Sequence, residues 1–146
     1  MGEGAKTVEI STDRDRLDLA YCYDFIANSY WSAGRTRGEF DRSVDLSFPV
    51  GAYCDGRQVG FARVVSDQIA IAYVADVFVD PDFRRLGIAS KLIDGLHAHP
   101  DLTRVKRWML ATHDMQPLYR LHGYEDLNDL MMMRVDDQAQ NRDPLR

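Results

Sequence analysis

Cysteine is scarce in this 146-residue chain: Cys22 and Cys54 are its only two, far apart and in no metal-type pair. That argues against a cysteine zinc site and makes two reduced, packed thiols the expectation, with a disulfide between them as the alternative. Long apolar runs are absent too, and none approaches the ~20 residues that cross a bilayer, so no membrane partner is expected. The opening MGEGAKTVEI lacks the basic segment and apolar core of a secretory leader, so a cytoplasmic setting is expected. Basic charge is short as well. Eighteen Lys and Arg against 23 Asp and Glu give a net charge of −5, which argues against a nucleic-acid partner. His97 and His99 in "HAHP" have no Cys or carboxylate at ligand spacing, so no metal is expected.

The composition is globular, 45% apolar against 28% charged, enough for one core. With no repeats or linkers, the reading is a single domain over residues 1–135 and a polar tail over 136–146. Thr12-Asp13-Arg14-Asp15 resembles a capping box, followed by Leu17, Tyr21 and Phe25 on one helical face. Thr36 to Glu39 is a second box, with Phe40 and Val44 behind it. From Pro49 the period shortens: "VGAYC", Asp55-Gly56 and "QVGFARVV" predict a hairpin. "IAIAYVADVFV" predicts a central strand covered on both faces. A helix follows near Gly87, with Ile88, Leu92, Ile93 and Leu96 on one side, ended by His99-Pro100. "RWMLAT" (107–112) predicts another strand. "DMQPLYRLHG" predicts a short helix capped by Asp114 and stopped by Gly123, and "LMMMRV" predicts a last strand. The order is two helices, three antiparallel strands, helix, strand, helix, strand: a mixed α/β sheet with one parallel strand–helix–strand crossover.

The join between strand and helix, "VFVDPDFRRLGIASKLI", carries the chemistry. A helix N-terminus offers unpaired N–H groups and the positive end of the helix dipole, a ready phosphate site. Gly87 lets the backbone approach a ligand, Ala89 is the next smallest residue, and Arg84 and Arg85 add full charges. Neither GxxxxGK[ST] nor GxGxxG occurs, so the nucleotide P-loop and the dinucleotide loop do not account for the junction. The pattern fits a diphosphate grip; alternatively Gly87 only shapes a turn and the arginines are solvated.

This stretch resembles the acyl-CoA-binding motif of the GNAT superfamily of N-acetyltransferases, Arg/Gln-x-x-Gly-x-Gly/Ala, with Arg84, Gly87 and Ala89 in its three defining positions. "PLYRLHGYE" resembles the family's short helix with Leu-Tyr and then Gly-Tyr. The resemblance extends from about Val50 to Tyr124 and implies the GNAT-like acyl-CoA N-acyltransferase fold. It further implies an acetyl-CoA-dependent transferase in which a small-molecule or peptide amine attacks the thioester directly. The cofactor would lie between two splayed strands. The backbone of Phe78 and Val79 would meet its pantetheine arm, and that of Arg85, Leu86, Gly87, Ile88, Ala89 and Ser90 its pyrophosphate. Homodimers are common among similar proteins.

Tyr119 falls where family members often place the acid that protonates the leaving thiolate; the alternative is a packed aromatic. Asp76, a charge inside an apolar strand, either binds or deprotonates the amine or holds a structural hydrogen bond. The Glu that several family members carry one residue earlier is Ala75 here, which leaves open a non-catalytic acyl-CoA-binding or sensing domain. His113 and Asp114 are further candidates for the base. For the acceptor, Tyr30 and Trp31 would wall a pocket and Arg35 or Arg37 would meet a carboxylate; otherwise these aromatics cap the core and the arginines are solvated.

Overall fold

Strand pairing sets the architecture. The computed structural model describes residues 7–29, 34–127 and 129–139. Five strands form one sheet in the order β1 (Val8–Ser11), β2 (Phe48–Cys54), β3 (Arg57–Ser66), β4 (Ile71–Val79) and β5 (Arg107–Met109). Neighbours are antiparallel except β4 and β5, which run parallel. The helices are α1 (Leu19–Ala27), α2 (Arg37–Asp45), α3 (Ile88–His97) and α4 (Gln116–Leu121). A parallel pair cannot be joined by a tight turn, and α3 is the crossover between β4 and β5. The mixed α/β fold expected from the sequence is present. No helix among the described residues is long and apolar enough to cross a membrane.

Each face of the sheet has its own apolar layer. α3 sets Ile88, Leu92 and Leu96 against Val50, Ala52, Ala62, Val64, Ala72 and Val74. Each large aliphatic chain fully buried here stabilises the fold by ~1.5–3 kcal/mol. Gly95 lets α3 close onto β1, since a Cβ there would stand 2.7 Å from Ile10 Cγ2. On the opposite face α1 and α2 bury Cys22, Ile26, Phe40 and Val44 against Phe61 and Phe78. Both cysteines are free and buried. Burial pushes the Cys22 thiol up to about 12, so it stays protonated.

One irregularity positions everything that follows. Between β3 and β4, Phe61 pairs with Phe78 but Arg63 with Ala75, so β4 carries one extra residue over that step. The bulge falls at Asp76, whose φ of 56° is left-handed. Ala72 and Val74 therefore share the α3 face with Val77 and Val79, while Phe78 joins the other layer. The pairing of β4 with β5 stops at Tyr73 and Met109, ahead of the bulge, and β4 continues without β5 from there.

Several local expectations are corrected. Asp13 caps only a 3-10 turn, Arg14–Arg16, and Asp18 caps α1 through the Tyr21 N–H at 3.0 Å. Asp15 is one methylene short of the glutamate that would close a box. β1 was absent from the expected order. β4 is not covered on both faces at its start, where Ile71 is 43% and Tyr73 41% exposed. "RWMLAT" forms only the three residues of β5, because β4 has turned away from the rest. α4 has no side-chain cap; Met115 occupies its N-cap in place of Asp114. Gly123, with φ of 92°, does stop α4. "LMMMRV" is no strand: no sheet edge pairs with it among the described residues, and Met132 is 95% exposed.

Candidate functional site

The divergence of β4 from β5 opens a cavity of about 1420 Å³. That exceeds the ~300–1000 Å³ of a typical small-molecule pocket and leaves room for two reactants. One wall is β4, with Asp76, Phe78 and Val79. The facing wall is Leu110 to His113, followed by Tyr119 of α4. Phe78 is fixed by stacking on Phe25, with centroids 4.2 Å apart and planes at 11°.

The strand–helix junction forms one end. Asp80 accepts the Asp82 N–H at 3.0 Å and the Tyr21 hydroxyl at 3.0 Å, and so fixes the 3-10 turn Pro81–Phe83. Arg85 and Gly87 follow with φ of 65° and 75°. Left-handed residues at such spacing turn successive N–H groups toward one side, a concavity suited to anions. Gly87 is the N-cap of α3 and supplies no side chain, so the first-turn N–H groups receive no side-chain cap. A Cβ added at Gly87 would meet nothing within 4 Å, and the space over the helix end is open. Arg84, Arg85, Gly87, Ile88, Ala89 and Ser90 all line the cavity, whereas Leu86 does not and is 49% exposed. Arg84 Nε donates to the Val79 carbonyl at 3.2 Å, which ties the guanidinium to the end of β4.

At the other end lies Asp76, its side chain 2% exposed. Its Oδ2 accepts from Arg35 Nη1 and from Arg63 Nε, both at 2.7 Å, and its Oδ1 accepts from Arg35 Nη2 at 3.2 Å. Burial would raise the Asp76 carboxyl, but the Arg35 hydrogen bonds and the Arg63 charge outweigh it and hold the group below the ordinary aspartate value. Arg37 instead pairs with Asp41 on the exposed side of α2. Arg63 was missed by sequence reasoning. Its signal was a lone arginine in the apolar "QVGFARVV", one strand away from a lone aspartate.

Tyr119 is 7% exposed, and burial raises its phenol. The hydroxyl has no hydrogen-bond partner among the described residues, while the ring meets Tyr124 edge-on at 5.6 Å. His113 and Asp114 lie exposed at the rim. Tyr30 and Trp31 lie outside the described residues. The "HAHP" histidines have other work: His97 Nε2 is 2.8 Å from the Tyr124 hydroxyl, and His99 Nδ1 accepts the Asp101 N–H at 3.1 Å.

Comparison with known proteins agrees with this geometry. The family model for the acetyltransferase (GNAT) domain matches residues 48–126. No curated protein matches the chain. Among solved structures, a Xanthomonas campestris pv. campestris protein described as a GNAT-family acetyltransferase is 37% identical, with a TM-score of 0.83 over 90% of this chain and 96% of its own. A Deinococcus radiodurans protein described as an acetyltransferase is 25% identical, with a TM-score of 0.69 over 90% and 92%. A Clostridium acetobutylicum protein described as an acetyltransferase, solved with acetyl-CoA, shares the fold at 13% identity and a TM-score of 0.67, over 95% and 100%. The matched domain model covers more than half the chain, and the Xanthomonas relative nearly all of it: this chain belongs to the GNAT family of acetyltransferases.

Proposed function

We propose that the protein transfers an acetyl group from acetyl-CoA to a primary amine of a small molecule or peptide, by direct attack of the amine on the thioester. The observation that carries this reading is the uncapped N-terminus of α3. It sits beside Arg84 and Arg85 under open space at Gly87, at the end of a gap between parallel strands. The fold relative from Clostridium acetobutylicum, solved with acetyl-CoA, supports the same donor.

In this reading the α3 amides from Gly87 to Ser90 hold the diphosphate, and Arg84 and Arg85 add charge. The cofactor supplies an activated acyl group. The main chain of β4 around Phe78 and Val79 has lost its β5 partner and needs hydrogen bonds. It orients the thioester arm, and an N–H there serves the developing negative charge on the acyl oxygen. Tyr119 acts as the proton donor to the departing sulfur: its raised phenol stays protonated at neutral pH, and its hydroxyl is uncommitted.

Asp76 is assigned the structural alternative. A carboxylate bound to two guanidiniums, with its affinity for protons lowered, is a poor base, so it positions Arg35 and Arg63. The amine then loses its proton to water in the cavity. A lysine-like amine is neutral in only about one molecule in 10³ at pH 7, so the rate rises with pH.

Thiol release from acetyl-CoA, measured against a panel of amines with wild type and Tyr119→Phe, tests the reading. Amine-dependent release that the variant loses supports it. Tight CoA binding without amine-dependent release would instead establish an acyl-CoA-binding domain without catalysis.

A further inference from the structure

At the acceptor end of the cavity the charges do not cancel. Arg35 and Arg63 face one carboxylate, Asp76, which leaves a surplus of one positive charge. Arg35 spends both Nη groups on Asp76. Arg63 spends only Nε. Its Nη1 and Nη2, the end-on fork of the guanidinium, make no hydrogen bond within the described residues, although Arg63 is only 9% exposed and lines the cavity. The two Nη groups keep contact with the cavity rather than being sealed in protein, so they are donors that a ligand entering it would meet. The other acidic groups on the lining among the described residues, Asp24 and Asp114, are exposed, and water screens them. This local excess arises in a chain whose net charge is −5.

The fork has a stereochemical preference. Two parallel N–H donors match the two oxygens of a carboxylate far better than a single carbonyl or hydroxyl. The neighbouring groups keep it in place: Asp76 clamps Nε, and the bulge holds Asp76 at a left-handed φ that points the strand's one acid at β3. Tyr73, 41% exposed, adds an aromatic surface to the same lining.

We infer that the acceptor is an amine that also bears a carboxylate, an amino acid or a peptide end of that kind, and that the Nη1/Nη2 fork of Arg63, steadied by Asp76 and Arg35, reads the carboxylate. The inference rests on the acetyltransferase reading above and names its acceptor class. Asp76 and Arg35 are positioning residues here; Arg63 touches the acceptor.

The test pairs each of the twenty amino acids with its α-carboxamide and its decarboxylated amine, in thiol-release assays with acetyl-CoA. At least one free acid should exceed both of its partners by about 100-fold or more in kcat/KM, as for sites that leave a buried polar group unpaired when an analogue is wrong. Arg63→Lys keeps a charge beside Asp76 but lacks the fork, so the ratio of acid to amide kcat/KM should fall at least tenfold, while acetyl-CoA affinity measured by calorimetry shows that the variant is folded. Arg35→Lys should cause a smaller loss. An independent readout is the Arg63 Nε–H resonance in ¹⁵N-arginine-labelled wild type with CoA present: the free acid should shift it and the carboxamide should not. Amide or decarboxylated amines that react as well as the acids would overturn the inference and leave the transferase reading standing. Absence of release with every amine would remove that reading and the inference together.

Discussion

Replacing Asp76 by Asn isolates the electrostatics of the cavity from its shape. Asparagine has nearly the same outline and tolerates a φ of 56° as well as aspartate does, so the bulge is not strained by the change. What disappears is the countercharge for Arg35 and Arg63. The three side chains are 22%, 11% and 2% exposed for Arg35, Arg63 and Asp76, too little for water to compensate. Breaking a buried ion pair by removing one partner costs about 3–5 kcal/mol. The remaining amide oxygen still accepts one hydrogen bond, which places the expected loss near 3 kcal/mol. For a domain of this size each kcal/mol moves Tm by about 2–4 °C, so the variant should melt roughly 6–12 °C lower at pH 7. The carboxyl is held below its ordinary 3.8 in the folded protein. Its contribution is therefore complete above that pH and is lost as pH falls from there through the lower folded-state value. Urea titrations at pH 7 and pH 3 should show the gap between wild type and variant narrowing in acid. A Tm within 2 °C of wild type at pH 7, or an equal gap at both pH values, would refute the reasoning.

Other consequences follow from the same contacts. Tyr119→Phe should lower kcat by about 100-fold or more with acetyl-CoA affinity unchanged, checked by steady-state kinetics and calorimetry. Gly87→Ala should cost about 1–2 kcal/mol of stability through its φ of 75° alone, since its Cβ meets no protein atom. The same variant should weaken acetyl-CoA binding by roughly tenfold, about 1.4 kcal/mol, because that Cβ enters the cradle. Leu92→Ala empties a fully buried site between α3 and the sheet and should cost about 2–5 kcal/mol in urea unfolding. His99, held below its usual range by burial, must stay neutral for Nδ1 to accept the Asp101 N–H. Its contribution is present above pH 6.5 and fades as pH falls below, so His99→Asn, which keeps an acceptor but cannot titrate, should flatten the pH dependence of Tm there.

Features whose cause is local were legible in the chain itself. The Thr36–Glu39 box forms as read, with Glu39 N–H to Thr36 Oγ1 at 3.1 Å and Thr36 N–H to Glu39 Oε1 at 2.8 Å. Asp55 and Gly56 adopt the two left-handed conformations of a tight hairpin turn. The face of α3 buries the four residues its period singles out. Features that depend on a partner were not legible. "LMMMRV" is apolar enough for a strand but finds no edge to pair with. β1 is four residues long and gains its identity from β2. The bulge is a property of register between two strands, visible only once Phe61 and Arg63 are set against Phe78 and Ala75. The Arg63–Asp76 contact depends on that register, so Arg63, which pairs with the buried aspartate, was the residue passed over.

The extra residue in β4 makes strand length a functional parameter. Deleting it would turn Val77, Phe78 and Val79 to the opposite faces and drive the Phe78 ring into the aliphatic layer under α3. The cavity wall formed by Asp76, Phe78 and Val79 would then present other side chains. A single-codon deletion at this point would reshape the cavity while leaving every residue of the junction motif in place. Any redesign of this scaffold should therefore conserve the spacing between Ala75 and Phe78 before it conserves the side chains there.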